Sequence, residues 1–372
     1  MSEFRTFSGW HDAALLGTLG SELRGWQEAP SAQIVWNEID FLSSVKSAGT
    51  NRFTGTQKER NRKWQAVNDF TRQAKAYYDA LEHVRGTSRA LLAYYAFLNL
   101  AKAELVHSHP DQVIEQKIKH GLWFDVGRQS TIRSDQVNVQ DGVFRLLYEA
   151  RTGEVLTRGS TLQVQRLLGH VPEVGHEYYR AFGDRSSVVR GWCRILQNGS
   201  AAWPVLLLDC SRRDLDKIGG SKRIEASFEH VELPPNWRLF AANIGAHTRP
   251  QIVLQSKRTF DIASPRWGYD AFHWACAALG NRVHMAVENN ADFLYVPDLL
   301  KSRKSAMPPS LARYAIMFYI SSLVRYRPSR LNPERQQLTV WLLEAFAQQS
   351  PLFMLIDSLA GLDQAPHMFN ML

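Results

Sequence analysis

The chain is poor in the residues and runs that mark most familiar chemistry. Its 372 residues hold three cysteines, Cys193, Cys210 and Cys276, widely spaced and without a CxxC pair. That argues against a disulfide framework and a zinc cluster and fits a reducing compartment. The longest apolar run near the C-terminal end, Ala315 to Val324, is interrupted by two serines and falls well short of the roughly 20 residues a membrane helix needs. The opening MSEFRTFSGWHDAA lacks the basic start and apolar run of a secretory leader. The expectation is a cytoplasmic protein without a membrane span. No GxGxxG, HExxH or GxSxG occurs, and Gly219-Gly220-Ser221-Lys222 lacks the earlier glycine that would wrap a phosphate. No cofactor is implied. There is no internal repeat and no low-complexity tract.

Apolar and aromatic residues, by contrast, are plentiful. At 45% hydrophobic and 11% aromatic the chain can bury one large core or two ordinary ones. The formal charge of +8 makes an acidic partner plausible, nucleic acid first, because cationic surfaces release counterions from phosphates.

Read in order, residues 1–30 have no clear period and form an irregular N-terminal arm. Ser31 stands at an N-cap position before Ile34, Val35, Ile39, Leu42 and Val45, with Gly49 placed to end the helix. A second helix carries Trp64, Val67, Phe70, Tyr77, Tyr78 and Leu81. The most apolar stretch, 88–107, has Asn99 as its only strongly polar side chain between Ala90 and Ala101, so it reads as a buried core helix. Tyr95, Asn99 and Lys102 fall at i, i+4 and i+7 and share one face of it. His120 and Gly121 then open a loop, a short strand lies near Gln136 to Val139, and a helix starts after Gly142. Residues 161–182 read as helix broken at Pro172.

Between 183 and 263 short β-branched and aromatic runs alternate with turns such as Asn198-Gly199. They begin at Val188, Trp203, Phe228, Trp237 and Ile252 and predict a small, mostly antiparallel sheet. Helix returns in the run Gly268 to Ala286, again over 310–326, and in a last C-terminal helix. The expected fold is mainly α (α+β): a helical body, 31–182, a β-rich insertion, 183–263, and a C-terminal helical region, 264–372, packing back on the first.

The order LLAYYAFLNLAKAEL, then KHGL, then DQVNVQDGVFRLLYE resembles the YaaC-like protein family of bacteria, and LVRYRPSRL from Leu323 is similar to an Arg-Tyr element near that family's C-terminus. The resemblance implies a cytoplasmic bacterial protein and no particular reaction. It also marks four cations, Lys102, His120, Arg325 and Arg327, as lying in the family-like segments. Together with Tyr95 and Asn99 they make a candidate cationic pocket for a phosphate or carboxylate, arginine giving forked, planar recognition.

Two other readings compete. Arg266 and His273 have the spacing of the Arg–His pair in HEPN-type ribonucleases, where arginine stabilises phosphorane charge and histidine moves the 2′-hydroxyl proton. Arg5 with His11 and Arg223 with His230 fit it as well, so the pattern is common. A non-catalytic scaffold that binds another protein through its aromatic surface is the third reading. Weaker patterns are His107, His109 and His120 as metal ligands, and Asp209 with Lys257 as strand-end nuclease residues.

Overall fold

Polar caps and apolar spacing account for most of the helices in a computed structural model, which describes residues 4–12, 31–115, 118–125, 131–183, 188–217, 221–232, 251–279, 285–288, 291–295 and 307–363. The Ser31 hydroxyl accepts the Ile34 N–H at the start of α1 (Ala32–Ser44), which buries Val35, Trp36 and Ile39. Gly49 does not end this helix. It lies inside α2 (Lys46–Asn51), where a Cβ would stand 2.2 Å from the Trp64 ring. Thr56 and Glu59 form a capping box before α3 (Gln57–Asp79).

The apolar stretch is α4 (Arg89–Leu105), with Ala90, Ala93, Tyr94, Phe97, Leu100, Ala103 and Leu105 all buried. Such a helix must be clothed on all sides. α3 runs antiparallel along one side: Tyr77 stacks on Tyr95 at 5.4 Å, and two turns away along both helices Phe70 meets Lys102. The short α5 (Pro110–Ile114) follows.

Strands form two antiparallel sheets. β1 (Gly9–Asp12) belongs to the larger. The smaller is built from β2 (His120–Phe124), β3 (Gln136–Gly142) and β4 (Thr161–Gln163) in that order, with α6 (Val143–Thr152) leaving β3 directly and α7 (Val164–Leu168) leaving β4. Here the sequence misled twice, since a loop was expected at His120 and helix from Thr161. His120 pairs with Gly142 across a bulge, with Gly121 at φ 82° and Gly142 at φ 148°. A Cβ on Gly142 would stand 2.3 Å from the Lys119 carbonyl oxygen. Pairing between segments this far apart leaves no local signal, and three residues are too few for a period. The Pro172–Val174 turn and α8 (Gly175–Phe182) match the expected break at Pro172.

The larger sheet follows. β5 (Val188–Asn198) and β6 (Ala201–Leu208) make a hairpin at Asn198-Gly199. Helices α9 (Arg212–Lys217) and α10 (Ser221–Ser227), absent from the sequence reading, lead to β7 (Phe228–His230), β8 (Ile252–Ser256) and β9 (Phe260–Asp261). The strand expected from Trp237 lies outside the described residues. α11 (Trp267–Leu279) is shorter than the helix expected there, because Met285–Glu288 is β10, paired with β11 (Ala291–Tyr295). The order is β10-β11-β5-β6-β8-β7. The arm expected to be irregular supplies β1, which pairs with Arg194–Gln197 of β5 while β11 takes Val188–Gly191. The two short strands share one long edge that would otherwise stand open.

α12 (Pro309–Tyr326) and α13 (Pro333–Asp363), joined by the turn Pro328–Leu331, return to the helices. The largest apolar core runs from Val35 to Phe182 and from Met307 to Leu362. Separate clusters cover the two faces of β5, Cys193 and Ile195 on one and Trp192 and Leu196 on the other. The fold is thus mainly α with antiparallel sheets. Among the described residues no helix is long and apolar enough to cross a membrane.

Buried charges cross-link the helical core. Arg313 of α12 holds Glu173 at 2.8 Å and Asp357 of α13 at 2.9 Å, and the Ser350 hydroxyl donates to Glu173 at 2.6 Å. Arg151 of α6 forks onto Glu104 of α4 at 2.9 and 2.6 Å. Burial pushes the Glu173 carboxyl up, but Arg313 and Ser350 outweigh it and hold the group below its ordinary value.

Candidate functional site

The polar stripe of α4 divides. The Asn99 side chain donates to the Tyr95 carbonyl of its own helix at 2.9 Å, and the Lys102 ammonium lies 5.7 Å from the centre of the Phe70 ring. Burial lowers the pKa of Lys102. Lys102 thus serves the seam between α3 and α4, and Asn99 is satisfied by the backbone of its own helix. Tyr95, at the other end of the stripe, points its hydroxyl to Arg325, which donates to it at 3.2 Å.

Arg325 stands in the last turn of α12. Its Nε donates to the Ser321 carbonyl at 3.2 Å, and its guanidinium lies 5.0 to 6.0 Å from the ring centres of Tyr94, Tyr95 and Tyr326. Arg151, Arg313 and Arg330 each hold a carboxylate. The half-buried Arg325 holds none among the described residues. Nearby, the hydroxyls of Tyr94 and Tyr314, both residues almost wholly buried, face one another. Burial raises the pKa of each, so both remain protonated donors.

His120 completes this group. Its ring lies 5.0 Å from Phe318 and 6.4 Å from Tyr94. The Leu122 N–H donates to Nδ1 at 3.2 Å, so the neutral ring carries its proton on Nε2. Burial, then the charges of Arg325 and Lys119, lower its pKa. The imidazole is therefore neutral near pH 7.

The other side of His120 lines a cleft of about 1090 Å³. Its floor is the bulge of β2 and β3, with Gly121, Trp123, Gln140, Asp141 and Gly142. Arg145 and Glu149 come from α6, His109 and Gln112 from the α5 region, and Lys119 and Arg158 from flanking turns. Asp141 holds Arg145 and, at 3.3 Å, Arg158. Three cations thus face two carboxylates, and one carboxylate serves two arginines. Sequence reasoning missed Lys119, Trp123, Arg145 and Arg158, although all but Arg158 lie in or beside the KHGL and DQVNVQDGVFR motifs.

The remaining candidates fall elsewhere. Arg327 is exposed beyond the end of α12. Arg266 is exposed just before α11, and the His273 side chain lies outside the described residues. His107 stacks on Phe53 at 4.4 Å, away from the cleft that His109 and His120 line. Among the described residues no three histidines, cysteines or carboxylates are grouped to hold a metal ion. Asp209 and Lys257 stand at opposite ends of the β6–β8 pair, because Leu208 faces Ile252 and Val205 faces Gln255. That puts them roughly 20 Å apart, and Lys257 is engaged with the Glu225 carbonyl at 2.6 Å. The nuclease pairing is excluded.

A mainly α body with antiparallel sheets and a cation-lined cleft at a two-glycine bulge is the class of protein that these features define. Residues 26–355 match the family model described as YaaC-like Protein, and the chain belongs to that family. Neither the curated proteins nor the solved structures contain a match to it.

Proposed function

We propose that the chain binds a phosphate-bearing ligand, a nucleic acid or a nucleotide, at the cleft beside His120. The observation that carries this reading is Arg325, a half-buried guanidinium that holds no carboxylate among the described residues, set beside the Tyr95 hydroxyl and a neutral histidine. A cation removed from water and left without a counter-charge is costly, and an anion entering past His120 would supply that charge. Lys119, Arg145 and Arg158 at the cleft extend the field outward. Of the residues the sequence singled out, His120, Arg325 and Tyr95 carry the proposal; Lys102 serves the helix seam, Asn99 bonds its own helix, and Arg327 stands outside.

Fluorescence anisotropy of labelled RNA, DNA and a labelled mononucleotide over a salt series tests the reading. A steep loss of affinity with salt is expected, together with at least tenfold weaker binding by Arg325→Gln. Absence of binding to any of these at low salt overturns it. The ribonuclease reading keeps Arg266 and His273 two turns apart along α11, and metal-free RNA cleavage lost in His273→Ala would favour it. A co-purifying protein with neither nucleic acid nor activity would favour the scaffold.

A further inference from the structure

We infer that the ligand of the cleft is a single-stranded nucleic acid, one base of which stacks on Trp123 while a backbone phosphate takes the place of Asp141 on Arg145 and Arg158. The inference rests on the reading of the cleft as a phosphate site. Trp123 is the outward residue of β2, 51% exposed between the buried Leu122 and Phe124. A tryptophan so open on a strand is unusual, and no aromatic ring of the described residues stacks on it. Across the sheet it faces Asn138, whose side chain accepts from Thr161 at 3.2 Å, and Gln140 follows on the same face of β3. An indole face beside amides and a hydroxyl offers a base both a stacking surface and edge partners.

The backbone partners stand at the same cleft. Arg145 and Arg158 converge on the single carboxylate of Asp141, an arrangement that a phosphate, with more oxygens and comparable charge, reproduces. Asp141 and Arg158 are both exposed, so the exchange needs no rearrangement of the core. Lys119 carries no carboxylate among the described residues and stays available for a neighbouring phosphate. A duplex hides its base faces and could not use Trp123. A free nucleotide offers one base and one phosphate cluster but no neighbouring backbone phosphate to reach Lys119.

The test compares a labelled single-stranded oligonucleotide, the duplex of the same length and a mononucleotide, each against the intact protein and the variants Trp123→Ala, Trp123→Phe and Asp141→Asn. Single strands should bind at least about tenfold tighter than the duplex or the mononucleotide. Trp123→Ala should weaken single-strand binding about fivefold or more, with Trp123→Phe recovering most of it. Asp141→Asn should tighten binding, since the arginines lose their internal competitor. Equal affinity for the duplex, preference for the mononucleotide, indifference to Trp123→Ala, or unchanged or weaker binding by Asp141→Asn would each overturn the inference. If binding persists and still depends on Arg325, the phosphate site survives such a result. Loss of all binding in the intact protein removes both.

Discussion

Arg330 reaches back from the turn after α12 to hold Asp135, at the entry to β3, across 2.5 Å. The carboxylate is fully buried and also accepts the Tyr319 hydroxyl at 2.5 Å. Two of the family-like segments, DQVNVQDG and LVRYRPSRL, are therefore joined by one ion pair. Removing the arginine leaves a buried carboxylate without this counter-charge, so Arg330→Met is expected to cost about 3–5 kcal/mol in urea unfolding. The double variant Arg330→Met/Asp135→Asn should recover part of that loss. An Arg330→Met protein as stable as the parent would show that the pair contributes little.

The bulge under the cleft should be intolerant of any side chain. Gly142→Ala meets backbone atoms on both sides in addition to an unfavourable φ, and a loss of at least about 3 kcal/mol is expected. Gly153, with φ 70° and nothing within 4 Å of a built Cβ, provides the comparison. Gly153→Ala should lose only roughly 1–2 kcal/mol. Thermal unfolding of the two variants side by side distinguishes space from backbone conformation.

Ligand binding should separate the two ends of the α4 stripe. His120→Ala and Arg325→Gln are expected to weaken anion binding tenfold or more with little change in the far-ultraviolet spectrum. Lys102→Met keeps the contact with Phe70 and should leave affinity within about twofold. Equal loss in all three would mean that Lys102 serves the ligand as well.

Stability should depend on pH through His107. Burial, then Arg52 and Lys63, pull its pKa down to about 4 from 6.5. The unfolded chain therefore takes up a proton near pH 6.5 that the folded chain refuses until about pH 4. This group's stabilising contribution is complete above pH 6.5 and drains away between 6.5 and 4. In His107→Phe the fall in unfolding free energy from pH 7 to pH 5 should be smaller than in the parent. A fall of equal size would place the responsible group elsewhere.

Local chemistry made much of this fold legible. The Ser31 cap, the Asn198-Gly199 turn and the nearly all-apolar surface of α4 each act within a few residues. What stayed hidden depends on segments far apart in sequence. Lys102 looked like a pocket residue because its face of α4 was visible while its neighbour Phe70 was not. A helix does start after Gly142, as read, but the close approach of the Lys119 carbonyl to that glycine comes from a distant segment and left no local signal. His120 and Arg325 were singled out through their motifs, whereas Trp123 and Arg158 come to notice only once the fold brings them to the cleft.

The split of the largest core between residues 35–182 and 307–362 bears on how the chain is made. α4 is synthesised early, yet α12 and α13, which cover much of it, emerge some two hundred residues later. Until they do, Tyr94, Phe97 and Leu100 have half a coat. A nascent chain in this condition leaves its most apolar helix partly uncovered while the larger sheet is made, a condition that slows folding in general. The ion pairs from Arg313 and Arg330 can close only after α12 has been made, and the guanidinium of Arg325 takes its place with them.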